Sequence, residues 1–429
     1  MQSVIKYLSL FLYFFLSACV FGPVKELKNQ IEDSWVDDDI PINPTPLFDL
    51  PNNLSAKVLW NLSLGGKAKL NIEPAICKNK LFAANPDGII YAVDINNGEI
   101  LWDKNVKQKI IAGISCDDSN IFFVSNDGFV SAISHDGLFL WKSFVGQIYT
   151  MPFAFDQHLV VRTIDNKFIS LNTLNGSQNW EYISPSPVLT LHSWGKMSFS
   201  DGIIFSGLPS GKCLALNLKS GALVWEASYS LPKGTTDIDR ANDTTSKPLI
   251  IEPFIFVVSS KGYLAMLDKE NGQSLWSRTF SSFYGSVQVD ESIVSIHNSG
   301  SIYSFSQQTG KVEWRNADYI NRDIKLPIVK GDYLISGDFE GYLHFIESKS
   351  GKSYARLKLS SSPIVNIQIY EKNLLVHNLD NDLFLVSIKN LIEKNISDSN
   401  ISNQNNDKDN LNIDENNKSA FDELFFWQD

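Results

Sequence analysis

Few residues of this chain are spaced for chemistry. The six histidines, at 135, 158, 192, 297, 344 and 377, fall at no metal-ligand spacing, and no nucleophile–base motif or phosphate loop occurs. The four cysteines include no CxxC pair, which excludes a zinc ribbon, a c-type haem attachment and a dense disulfide scaffold. No catalytic, metal or cofactor residue is assigned. Cys19 stands apart through its neighbours. Lys6 precedes the apolar run Tyr7–Leu16, and Ser17-Ala18 places small residues before the thiol, as at the cleavage point of an export signal. As a helix the run would span about 15 Å, half a bilayer.

With 43% hydrophobic and 12% aromatic residues, the 429-residue chain has material for one large core or two ordinary ones, and it is not a mainly disordered chain. A formal charge of −11 argues against nucleic-acid binding. The acidity lies in residues 20–50 and 390–429, leaving the body between them nearly neutral. Residues 1–18 are expected to be a signal peptide. The Leu16-Ser17-Ala18-Cys19 run resembles the lipobox of bacterial lipoproteins, which implies that Cys19 is acylated and becomes the first residue. Val20, where an Asp would argue otherwise, is compatible with export to the outer membrane, so a lipid-anchored position on its periplasmic face is expected. Residues 19–50, with Pro23, Pro41, Pro44, Pro46 and the run Asp37-Asp38-Asp39, read as an acidic tether.

The element that would position anything on this chain is a repeat. Glycine precedes tryptophan by four residues at Gly98/Trp102, Gly137/Trp141, Gly176/Trp180, Gly221/Trp225, Gly272/Trp276 and Gly310/Trp314. A second turn signal lies upstream of each, at Gly88, Gly128, Asn166, Gly211, Gly262 and Gly300. Gly341 and Gly351 continue the spacing with Ala355 in the tryptophan slot, and Asn381-Asp382 opens an eighth unit that lacks its last strand. Short strands joined by Asp-Gly and Asn-Gly turns at this period are propeller blades. The unassigned strand Lys57-Val-Leu-Trp60-Asn-Leu completes the eighth. The expected fold is all-β: an eight-bladed β-propeller over 51–389, closed by its own N-terminal strand, which removes open sheet edges. The tryptophans are expected in the core. Cys77 and Cys116 lie in or beside strands of different blades and could pair in an oxidising compartment; the pairing is left open. Residues 390–429 read as a disordered acidic tail ending in the apolar motif Ala420–Trp427.

The segment Ala92-Val-Asp94-Ile-Asn-Asn-Gly98-Glu-Ile-Leu-Trp102 resembles the tryptophan-docking repeat of quinoprotein-type propellers. One branch of that class is the PQQ-dependent dehydrogenases. They would need an axial cofactor pocket and a bound calcium, and the chain has no cysteine pair and little length to spare for active-site insertions. The other is the BamB family, propeller lipoproteins of the outer-membrane β-barrel assembly machinery. Gly234-Thr-Thr-Asp-Ile-Asp239-Arg240-Ala-Asn-Asp243 resembles that family's long acidic loop, and Pro187-Val-Leu189-Thr-Leu191-His192 its Leu-x-Leu-Arg segment. Gly337-Asp-Phe-Glu-Gly341-Tyr-Leu-His344 resembles its late-blade signature. The resemblance implies a non-catalytic scaffold that binds BamA, the barrel-inserting subunit, and its complex, with nascent outer-membrane proteins as further partners and no cofactor. The implied contact set is Leu189, Leu191, His192, Asp237, Asp239, Arg240, Asp243 and Thr245. His192 stands in place of an arginine, and Thr245 at a usually acidic position.

Overall fold

The computed structural model describes residues 43–51, 54–148, 150–185, 195–230 and 242–388. Eight four-stranded antiparallel sheets form in chain order, and the described residues contain no helix. Blade 1 is Ala75–Cys77, Lys80–Ala84, Ile89–Asp94 and Ile100–Asn105, from the axis outward. Six more blades repeat this order. Blade 8 takes Ile364–Tyr370, Asn373–Asn378 and Asp382–Ile388 from the end of the described chain and its outermost strand, Ala56–Ser63, from the beginning. Trp60 pairs with Leu385 and Ala56 with Ile388, so the ring closes as the repeat count requires.

Middle strands such as Leu81–Ala84 and Ile121–Val124 are buried on both faces, which explains their continuous apolar runs. The outer strands carry the tryptophans. Trp60, Trp102, Trp141, Trp180, Trp225 and Trp276 donate from Nε1 to the carbonyls of Ile95, His135, Thr173, Leu218, Lys269 and Gln307, at 2.7–3.0 Å, each in the following blade. Each indole also lies on the glycine of that next blade. A Cβ on Gly98 would sit 2.7 Å from Trp60 Cδ2, and one on Gly221 2.5 Å from Trp180 Cδ2. Both glycines also hold a positive φ. The glycine four residues before a tryptophan in sequence is therefore not that tryptophan's partner; it receives the indole of the blade before. Burying an indole contributes on the order of 4–6 kcal/mol before entropy is counted.

Ala355 now has a physical reason. Trp314 of blade 6 still docks on Gly351 of blade 7, but blade 8 has no turn joining its third and fourth strands, because they come from opposite ends of the chain. An indole at 355 would have no glycine turn to rest on. Ala355 packs instead in a cluster with Tyr333, Tyr354, Leu357 and Ile388 that also takes in Leu54 and Ala56.

Residues 43–50, expected from their prolines to belong to the tether, lie against the propeller beside blade 7 and the connection that leads into it. Thr45 N–H donates to Ile320 O at 3.0 Å, and Arg322 Nη1 donates to Thr45 O at 3.1 Å. Arg322 is 3% exposed and also binds Asp338 Oδ2, from Nε at 3.0 Å and Nη2 at 2.6 Å. His344 Nε2 lies 2.9 Å from the same oxygen. The Gly337–His344 signature is thus a buried ion-pair network of blade 7. Burial opposes the Asp338 charge, but hydrogen bonds from His344, the Tyr342 N–H and Arg322 hold its carboxyl below the usual range. A disulfide joins Cys77 and Cys116, stapling blade 1 to the innermost strand of blade 2.

Two predictions follow from the ring. Trp60→Ala should cost about 3–5 kcal/mol in a urea melt, and Ala355→Trp should also destabilise, since the indole has no dock; a stabilised Ala355→Trp would refute the seam. Burial pushes the His344 and His377 pKa values down, against Asp338 and Asn381 contacts that raise them. The unfolded rings take a proton near 6.5 and the folded ones only at lower pH, so stability is lost as pH falls below about 6.5. Melting temperatures from pH 7.5 to 5 should decline; a flat profile would contradict it.

Candidate partner-binding face

In each blade the first strand starts, and the second ends, on the same face of the ring. Connections between blades therefore share that face with the turns between second and third strands. The two longest connections, 184–197 and 229–248, join blades 3 to 4 and 4 to 5, and so begin and end at neighbouring positions on that face. Leu189, Leu191, His192, Asp237, Asp239 and Arg240 lie outside the described residues. The ends of both loops are described. A Cβ on Gly195 would lie 3.1 Å from Thr245 O, so the root of one loop rests on the returning arm of the other.

That arm, 242–248, is pinned along its length. Asn242 Nδ2 donates to Ser230 Oγ at 2.6 Å across the neck of the loop, and Lys261 N–H donates to Asn242 Oδ1 at 3.2 Å. Thr244 N–H donates to Leu208 O at 3.0 Å, its Oγ1 donates to Lys212 O at 3.0 Å, and the Tyr229 hydroxyl meets the same Oγ1 at 2.5 Å. A Cβ at Gly207 would fall 2.3 Å from Thr244 Cγ2, so glycine there lets the arm lie against blade 4. Thr245 is half-buried and donates from Oγ1 to Phe283 O at 3.2 Å.

Asp243, expected from the sequence to act as a contact residue, is only 1% exposed. Its carbonyl accepts from Ser260 N–H at 2.9 Å and its Oδ1 from Ser210 N–H at 3.4 Å. Its charge is directed at Arg162, a residue without a signal in the repeat pattern except that it is a cation ending the apolar strand His158–Arg162. Arg162 is 3% exposed; it donates from Nη1 to Gly207 O at 2.7 Å and from Nε and Nη2 to Asn166 Oδ1 at 3.0 and 2.5 Å. Burial pushes its pKa down to about 10 while Asp243 pulls the other way, so it stays charged at neutral pH.

At the axial mouth on this face, Lys196 Nζ meets Glu73 Oε2 at 2.5 Å. Glu73 belongs to the approach to blade 1, where its N–H donates to Gly113 O at 2.7 Å, and Lys196 to the approach to blade 4. Those blades are three apart in a ring of eight, so the ion pair reaches across the opening. Among the described residues no three His, Cys, Asp or Glu side chains converge as a metal ion would require.

Fold and face together define a closed propeller of PQQ-like repeats whose two longest connections begin and end on one face. The family model described as "Outer membrane protein assembly factor BamB" matches residues 55–316, and the chain belongs to that family. The protein of that name from Burkholderia pseudomallei (strain K96243) is 30% identical over 335 residues, covering 78% of this chain and 88% of the relative. The crystal structure of BamB from Moraxella catarrhalis has a TM-score of 0.71 at 20% identity, covering 78% of this chain and 100% of that one. Quinohemoprotein alcohol dehydrogenase from Comamonas testosteroni has a TM-score of 0.63 at 10% identity, covering 77% of this chain and 76% of that one, a likeness of fold alone.

Removing the Asp243 charge should loosen the arm. Asp243→Asn should cost about 1–3 kcal/mol and speed amide exchange at Thr244 and Ser260. Arg162→Met combined with it should cost less than the sum of the two single changes. Strict additivity would show that the two charges do not act as a pair.

Proposed function

We propose that this chain is a non-catalytic scaffold lipoprotein of outer-membrane protein assembly, held to the periplasmic face of the outer membrane through acylated Cys19, and that it binds BamA with the face carrying the two long loops. Membership of the BamB family supports the assembly role. The observation that carries the surface assignment is the contact of the two loop roots on a pinned arm. A rigid base beneath two adjacent loops lowers the ordering cost of binding. Leu189 and Leu191 supply an apolar anchor, and His192, Asp237, Asp239, Arg240 and the half-buried Thr245 a polar surround, the usual distribution of interface energy. Asp243 contributes through the loop's shape. Nascent outer-membrane proteins are further candidate partners.

Leu189→Ala with Leu191→Ala should weaken BamA capture from mild-detergent extracts by about 1–3 kcal/mol, the ordinary range for an interface anchor, while the melting temperature holds. Wild-type recovery of BamA by a normally folded double variant would overturn the assignment.

A further inference from the structure

The described N-terminal segment begins at residue 43, on the side of Cys19, and its place on the propeller is set by contacts distant in sequence. Thr45 is bonded through both its N–H and its carbonyl to the connection between blades 6 and 7, at Ile320 and Arg322. Pro44 lines a cleft of about 370 Å³ with Asn298 and Gly300, in a turn between second and third strands, and with Asn321 and Asp323. Both kinds of segment belong to the loop-bearing face. Arg356 donates from Nη2 to Phe48 O and lies 6.0 Å from the Phe48 ring centroid. Phe48 thus sits beside the outer strand Ser353–Lys358 of blade 7. Ala56, eight residues later, pairs with Ile388, the last residue of a third strand, and so begins on the opposite face. The segment therefore runs down the rim from one face to the other before the closing strand starts.

We infer that residues 44–48 form an exit clamp which makes the loop-bearing face, beside blades 6 and 7, the side from which the propeller is tethered to a lipid surface. Without the clamp, the tether would leave from the start of the closing strand on the other face. With it, Asn43 follows Cys19 by 24 residue steps, a span of at most about 85 Å when fully extended. A surface-bound partner of the loop face and the anchor then lie on the same side, and a shorter linkage raises the effective concentration between them. A pull on the anchor is also met first by the bonds at Thr45 and Phe48, upstream of the strand that closes the ring. The inference rests on the reading of Cys19 as the lipid anchor.

The test uses the full lipidated chain in phosphatidylethanolamine–phosphatidylglycerol vesicles carrying a bilayer energy-transfer acceptor. Donors are placed on blade 7 at Ser361→Cys, exposed on the loop-bearing face, or at Lys349→Cys, exposed on the opposite face. The native thiols do not compete: Cys77 and Cys116 are bonded to each other, and burial holds Cys213 at a pKa of about 12. Transfer from position 361 should exceed that from 349 about twofold. The variant Thr45→Pro/Phe48→Ala/Arg356→Ala loses the Thr45 donor and the Phe48 contacts; it should keep its melting temperature within a few degrees and lose most of the difference. Equal transfer from both faces in the parent protein overturns the clamp. Cys19→Ser is the separate control: its retention on vesicles would overturn the anchor reading and leave the face measurement to stand by itself.

Discussion

Everything in this molecule hangs on the docking of one blade's indole onto the next blade's glycine turn. The contact has two parts that cannot be separated. The indole N–H needs a carbonyl, and it finds one in the turn whose glycine leaves room for the ring. Each blade is thereby fixed in angle as well as distance to its successor; six such junctions, with a seventh where Trp314 lies on Gly351, leave little freedom to the eighth. The ring is a set of pairwise constraints, and no large central core is needed to hold it.

The eighth junction is where the chain's two ends meet, and its chemistry differs accordingly. A tyrosine–alanine pair replaces the tryptophan, the N-terminal segment supplies Leu54 and Ala56 to the cluster, and Arg322, Asp338 and His344 form a buried polar knot beside it. Such a network is costly to bury and costly to break. It holds a segment that would otherwise have only solvent for company. On the other side of the ring, Arg162 is buried with its guanidinium on Gly207 O and Asn166 Oδ1, and Asp243 is buried where the longer of the two loops returns to the propeller. Both networks lie toward the loop-bearing face, where rigidity helps to present a surface.

The architecture was largely legible in the sequence because glycine and tryptophan are rare and have narrow roles. Their spacing revealed the number of blades, and one stray tryptophan strand revealed the closure. The same spacing was silent about which glycine meets which indole, since the true pairs are separated by 34 to 47 residues and the false ones by four. The exit segment was misassigned for a related reason. Its prolines describe a local conformation, whereas its partners Ile320, Arg322 and Arg356 lie about 300 residues away and announce nothing locally. Asp243 entered the contact set through the family resemblance, and only the fold shows it buried and acting on the charge of Arg162. The other residues of the acidic loop, and the Leu189–His192 segment, lie outside the described residues, so their part in the surface rests on the family resemblance and on the geometry of the loop roots.

The central claim is that indole docking closes the ring and that the N-terminal strand is an equal member of it. Native-state hydrogen exchange of the tryptophan Nε1 protons measures this directly, because a docked proton exchanges only when its junction opens. The account predicts that the Trp60 proton is protected to the same degree as those of Trp141 and Trp180, with all three exchanging through the global unfolding reaction. Exchange of Trp60 through a separate opening of much lower free energy, with the other two still protected, would show that the ring is held by its first seven blades and that the closing strand is an accessory to it.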